Sequence, residues 1–482
     1  MKLKNSALFR QQCYIGGQWV DADGGETSKV TNPANGEVIG TIPKMGAAET
    51  DRAIAAAGDA FAGWRGRTAK ARANILRKWF ELIVANAGDL AIILTSEQGK
   101  PLAEARGEVL YGAAFIEWFA EEGRRAYGDI IPAHMTNKRI LVLKQPVGVV
   151  ASITPWNFPS AMLTRKAGPA LAAGCPFVAK PAHETPYSAL ALAVLAEQAG
   201  LPAGLFNVIT GPASVIGKAM TDSPVVKKIT FTGSTEVGKI LMRQCAGSIK
   251  KVGLELGGNA PFIVFEDADI DAAVEGAIMC KYRNSGQTCV CANRIYVHDQ
   301  VYDAFLEKFV AAVAKIKVGD GMEKGVTQGP LINDQAVEKV EQHIADAISK
   351  GGKVVAGGKR HRLGGKFFEP TVISEASDEM LCAREETFGP MAPVFRFKTE
   401  QEVIERANAT DFGLAAYFYA RDIGRIFRVS EALESGIIGV NTGIISTEVA
   451  PFGGVKQSGI GREGSKYGLE EFLEIKYVCL GI

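Results

Sequence analysis

Val147-Gly-Val-Val-Ala-Ser-Ile-Thr154 is an apolar run closed by the stiff turn Pro155-Trp-Asn-Phe-Pro159, and its reading decides the fold. A short uninterrupted apolar run that stops at a turn reads as a strand buried on both faces. Further candidate strands lie at 177–180, 205–210, 228–232 and 251–256, with helix-like segments between them. Strands alternating with helices predict a parallel sheet covered on both sides. A second alternating series starts at Pro261-Phe-Ile-Val-Phe265 and continues at 294–297, 353–355, 393–397, 415–419 and 437–441. The reading is α/β: two Rossmann-like parallel-sheet units that abut near Gly257-Gly258.

Upstream, strand-like pieces at 14–20 and 30–42 are broken by turns such as Asn32-Pro-Ala-Asn-Gly36. Apolar spacing of three and four then predicts helices over 47–64, 68–87 and 101–126, with Pro101 suited to a helix start. Residues 139–144 read as an isolated strand. The tail 473–480 alternates like a strand with no helix after it, and is expected to pair with 139–144 or with another subunit.

The bulk numbers bound the function. At 482 residues the chain has room for about three domains, and 47% apolar residues suit ordinary globular cores. Lys plus Arg number 54 against 53 Asp plus Glu, so no global field steers nucleic acid or an anionic membrane. Any anion must be recognised by a few local cations. The eight cysteines are scattered without a Cys-x-x-Cys pair, and the first residues lack the apolar core of a signal peptide. Reduced thiols in the cytoplasm are therefore expected. Gln145 to Thr164 carries no charge, but its prolines and Asn157 suit a buried strand and turn better than a membrane span.

Several motifs fail. Gly-Lys pairs are never followed by Ser or Thr, which removes the P-loop, and no Gly-x-Ser-x-Gly elbow occurs. Cys280, Cys289, Cys291 and His298 lack the paired spacing of structural zinc ligands, so no metal is expected. Gly459-Ile-Gly461-Arg-Glu-Gly464 matches the dinucleotide expression but follows no apolar strand, so it reads as a turn-rich loop. Phe231-Thr-Gly-Ser-Thr-Glu-Val-Gly238 is the better phosphate candidate. It follows a strand and opens a helix capped by Ser234 or Thr235, whose free N–H groups suit a pyrophosphate.

Three further segments stand together: Thr154-Pro-Trp-Asn-Phe-Pro159, Leu254-Glu-Leu-Gly-Gly-Asn259, and Asn284-Ser-Gly-Gln-Thr-Cys-Val-Cys291. With Phe231 to Gly238, Glu385-Glu-Thr-Phe-Gly-Pro390 and Pro451-Phe-Gly-Gly-Val-Lys456 they resemble the aldehyde dehydrogenase superfamily over essentially the whole chain. The resemblance implies that Cys289 is the nucleophile, that Asn157 and a backbone N–H receive the adduct oxygen, and that Glu255 activates water. The residue types suit this chemistry: a thiolate is the side-chain nucleophile closest to ready at neutral pH, amide donors stabilise an oxyanion, and a carboxylate is a general base. The same resemblance divides the chain into a dinucleotide-binding domain (1–126 and 148–257), a catalytic domain (258–446) and a small β oligomerisation extension (127–147 and 447–482). It implies a dimer or tetramer.

For the cofactor, the resemblance implies Thr154, Trp156, Lys180, His183, Gly233, Ser234, Val237, Leu256, Glu386 and Phe388. NAD-preferring relatives often carry a Glu three residues after this lysine; here His183 stands there, with Glu184 one place later. A carboxylate repels a 2′-phosphate, so NADP is expected to be preferred, with NAD also usable. Over nearly its full length the chain is similar to bacterial succinate-semialdehyde dehydrogenases. That similarity implies that Arg165, Arg283 and Ser446 hold the carboxylate of a small ω-oxo acid, glutarate semialdehyde being the alternative. Cys291 is a candidate redox neighbour of Cys289. A CoA-acylating enzyme and a non-catalytic homologue are the competing readings; Glu255 speaks against the first, and the intact Cys289, Glu255 and Asn157 against the second.

Overall fold

A computed structural model describes residues 1–482. Five parallel strands form the centre of the first sheet, spatially ordered Phe206–Val208, Phe177–Lys180, Val149–Ile153, Val226–Thr232 and Lys251–Glu255. The chain runs outward from Val149–Ile153 in one direction, then jumps back beside it to run the other way. Such a reversal leaves a crevice at the carboxyl ends of Val149–Ile153 and Val226–Thr232, the place where open α/β sheets take ligands.

The central strands of the second sheet are ordered Thr371–Ala376, Met391–Phe397, Ala292–His298, Ala260–Val264, Ala415–Tyr419 and Ile437–Val440, all parallel. Lys353–Ala356 joins its edge antiparallel. Thr371–Ala376 is absent from the expected series, although its β-branched start Thr-Val-Ile carries a strand signal.

The charge-free stretch becomes the buried strand Val149–Ile153, a turn, and the fully buried helix Ala161–Ala173. No single helix is long and apolar enough to cross a membrane. The helical region contains one helix more than the spacing suggests, Ala87–Gln98, because it is buried nearly all round and shows no apolar stripe.

The tail Leu473–Gly481 pairs antiparallel with Lys138–Pro146 of its own chain, and Asp129–Ile131 completes a three-stranded outlying sheet. Gly459–Ile460 pairs with Leu254–Glu255 at the edge of the first sheet, which brings Phe452 to Glu463 towards the chemical site. Two backbone hydrogen bonds between Phe452 and Glu463 close that loop.

Candidate active site

The chain leaves the first sheet at Glu255 and enters the second at Ala260, so the carboxyl end of one meets the amino end of the other. Asn157 and Glu255 come from the strand ends of the first sheet. Cys289, by contrast, lies in the loop that precedes Ala292–His298, not in one that follows a strand. A Cβ added at Gly258 would stand 2.3 Å from the Cys289 carbonyl oxygen, so only glycine permits this approach.

The Cys289 loop holds an unusual backbone. Asn284, Ser285 and Gly286 take φ of 51°, 57° and 75°, a left-handed run that costs energy at the two residues with side chains. Hydrogen bonds hold it: Asn284 N–H to Glu104 at 2.9 Å, Asn284 Nδ2 to the Asn157 and Gln287 carbonyls, and Ser285 Oγ to Gly329. The Asn157 amide donates to the Gln287 carbonyl at 3.1 Å, which ties the two sheets together two residues before Cys289.

Burial pushes the Cys289 thiol up to about 12; Glu386 and Glu255 push the same way, while Arg165 and Arg283 oppose them. A thiol raised in this way calls for a base to take its proton, and Glu255 is a carboxylate close enough to influence Cys289. Burial first, then Glu463, raises its pKa well above the usual carboxylate range, and its Oε2 has no hydrogen-bond partner. The same environment raises Glu386 to about 7, chiefly through burial.

Arg165 is not a free fork. Its Nη2 lies 2.7 Å from Glu463 Oε2, and its guanidinium is stacked 4.0 Å over Phe452. The ion pair is not aligned as a hydrogen bond, and Nε is also buried without a partner, so directional N–H capacity remains. Lys166 Nζ donates to the other Glu463 oxygen and to Thr232 Oγ1. Arg283 and Ser446 line one cavity of about 270 Å³ with Tyr111, Phe158, Glu104 and Glu108. The Tyr111 hydroxyl is buried there without a hydrogen-bond partner.

On the cofactor side, Thr154 and Trp156 follow one strand of the crevice, and Gly233 and Ser234 follow the other. Ser234 Oγ accepts from Val237 N–H and caps the helix Thr235–Ala246. A Cβ at Gly238 would meet the Leu256 side chain at 2.5 Å, so helix and sheet pack closely at this point. Trp156 and Phe388 meet edge to face at 5.6 Å, and Phe388 has φ of 53°. Glu386 Oε1 accepts from Gly258 N–H. A capped helix start at the crevice, with aromatic rings at its inner end, fits a dinucleotide. Lys180 Nζ is buried and donates only to Pro181 O, while His183 is exposed and Glu184 half-buried.

The profile of the Aldehyde dehydrogenase family matches residues 19–478. The chain belongs to this family. Aldehyde dehydrogenases similar to it include the glutarate-semialdehyde dehydrogenase of Pseudomonas aeruginosa, 66% identical with both chains fully covered. The NADP(+) succinate-semialdehyde dehydrogenase of Escherichia coli is 64% identical, again over all of both chains. The crystal structure of succinate-semialdehyde dehydrogenase from Burkholderia pseudomallei superposes with a TM-score of 0.99 at 62% identity, covering both chains completely.

Cys291 does not pair with Cys289 in this aldehyde dehydrogenase; its thiol donates to the Lys281 carbonyl at 3.2 Å. The sequence reading missed Glu463 and Lys166, because the first sits inside the misleading glycine pattern. It also missed Glu104, Glu108 and Tyr111. Their spacing along Leu102–Glu122 puts all three on one helix face, and polar groups on an otherwise apolar stripe were the available signal.

Proposed function

We propose that this enzyme oxidises a small ω-oxo carboxylic acid, succinate semialdehyde first among them, to the corresponding diacid, using NADP in preference to NAD. One observation carries the substrate reading: Arg283 and Ser446 line the same cavity, and Arg283 is also an electrostatic neighbour of Cys289. In this reading the guanidinium and hydroxyl hold the carboxylate at the end of the substrate remote from the aldehyde.

In this reading Glu255 takes the proton of the Cys289 thiol, and the thiolate attacks the aldehyde carbon. The Asn157 amide turns from the Gln287 carbonyl to the adduct oxygen, together with a backbone N–H at Cys289. Thr154, Trp156, Lys180, Gly233, Ser234, Val237, Leu256, Glu386 and Phe388 hold the dinucleotide, which supplies the hydride acceptor. Glu255 gives up that first proton to solvent; it then deprotonates the water that attacks the thioester carbon, the diacid leaves, and the proton passes to the departing Cys289 thiolate, restoring the thiol. NADP preference is supported by the absence of an acid at 183 and by the cofactor named for the Escherichia coli relative.

Glutarate semialdehyde is the second reading, favoured by the name of the Pseudomonas aeruginosa relative. A pocket separates substrates differing by one methylene by only about 1–3 kcal/mol, so both are expected to turn over. The test is a panel of aldehydes with and without a terminal carboxylate, each with NAD and NADP. Equal kcat/KM for succinate semialdehyde and butanal overturns the substrate reading.

The domain division at 126, 147 and 257 and a homo-oligomer belong to the same proposal. Ile130, Leu143, Ile475 and Tyr477 expose apolar surface on the outlying sheet, which supports a subunit contact there. All eight cysteines are unpaired, which supports a reducing, cytoplasmic setting.

A further inference from the structure

Lys100 has no side-chain solvent exposure, yet its amine is paired with a carboxylate directly behind the site. Its Nζ donates to Glu108 Oε2 at 2.6 Å and to the Asn157 carbonyl at 2.7 Å, and it lies 3.7 Å over the Phe158 ring. The other Glu108 oxygen accepts from the backbone N–H groups of Ser160 and Ala161. The pair therefore grips the turn 157–161 at both ends, between the strand that leads to Asn157 and the helix that carries Arg165.

A buried ion pair is a poor way to gain stability, since an apolar pair of the same volume often does as well. What it does supply is direction. The Asn157 peptide plane is fixed by two donors on one carbonyl, Lys100 Nζ from one side and Asn284 Nδ2 at 3.0 Å from the other. With the plane fixed, the Asn157 side chain leaves the backbone at a set angle towards the Cys289 loop.

We infer that Lys100, with Glu108 as its buried counter-ion, is a positioning residue for the Asn157 amide. The inference rests on the reading of Asn157 as the oxyanion donor, and the experiment separates the two. Lys100 does not line the cavity of Arg283 and Ser446; it acts through the Asn157 carbonyl.

The test uses the charge-balanced replacement Lys100→Met with Glu108→Gln, alone and combined with Asn157→Ala. The burst of NADPH formation in a single turnover reports the steps that need the oxyanion donor. Thermal unfolding and NADP titration on the same samples report the fold. Expected is a burst slowed by about tenfold or more for succinate semialdehyde and butanal alike, with NADP binding kept. In the Asn157→Ala background the same replacement is expected to cost less than about twofold more, because residues acting as a unit are not additive. Glu108→Gln alone keeps Lys100 and serves as the milder variant; its loss must also vanish in the Asn157→Ala background. An unchanged burst, or losses that multiply in full, overturns the role of Lys100. A normal burst in Asn157→Ala overturns the reading of Asn157 itself and this inference with it.

Discussion

Glu463 Oε2 lies 2.7 Å from Arg165 Nη2, and the other Glu463 oxygen accepts from Lys166. One carboxylate thus balances two buried cations beside Glu255. Lys166 and Arg165 hold Glu463 below its ordinary value despite burial, and the negative charge so fixed helps to raise Glu255. Glu463→Gln removes that charge and releases two cations, and both changes lower the Glu255 pKa. The ascending limb of kcat against pH should move to lower pH by about one unit, which corresponds to ~1.4 kcal/mol between the two forms of Glu255. An unmoved limb would mean that a different group controls it.

Because Arg165 is already paired, Arg283 is the freer cation for a substrate carboxylate. Arg283→Ala should lower kcat/KM for succinate semialdehyde by about tenfold or more, the value of roughly 1.5–3 kcal/mol for a charged hydrogen bond. For butanal the change should stay within about twofold. Steady-state kinetics on the two aldehydes measures the ratio. Equal losses would assign Arg283 to the loop's structure instead.

After burial, the Glu386 carboxylate does most to raise the Cys289 thiol. Removing a negative neighbour lowers a thiol pKa and raises the thiolate fraction. Glu386→Gln should therefore speed alkylation of Cys289 by iodoacetamide in the cofactor-free enzyme at neutral pH. Cys289→Ala supplies the background rate and should abolish dehydrogenase turnover.

At 183 an exposed side chain follows the buried Lys180 by three residues. His183→Glu places a carboxylate where a 2′-phosphate is expected. The ratio of kcat/KM for NADP over NAD should fall by about fivefold or more, most steeply at low salt. A ratio that does not move would place the phosphate elsewhere along the crevice.

Much of this was legible in the chain. Val147 to Thr154 has no polar alternation, which a strand can tolerate only when covered on both faces, and the strands after it are spaced by helices, so parallel sheets are expected. Strand ends were read closely: 177–180 and 415–419 match Phe177–Lys180 and Ala415–Tyr419. Ala87–Gln98 escaped because a helix buried all round has no periodic stripe to find.

The sequence by itself determined the chemistry available: one cysteine in a glycine-containing loop, a carboxylate and an amide after buried strands, and a capped helix start for a dinucleotide. Those are local properties, set by residue type and by hydrogen bonds a few positions apart. Only the tertiary structure decided how the charges are shared. Lys100 sits beneath Asn157, Glu463 between Arg165 and Lys166, and Glu104 beside Asn284. Their separations along the chain are long, and burial makes each unpaired charge too costly to leave alone. Which cation is spent on structure and which remains for substrate is therefore settled by packing.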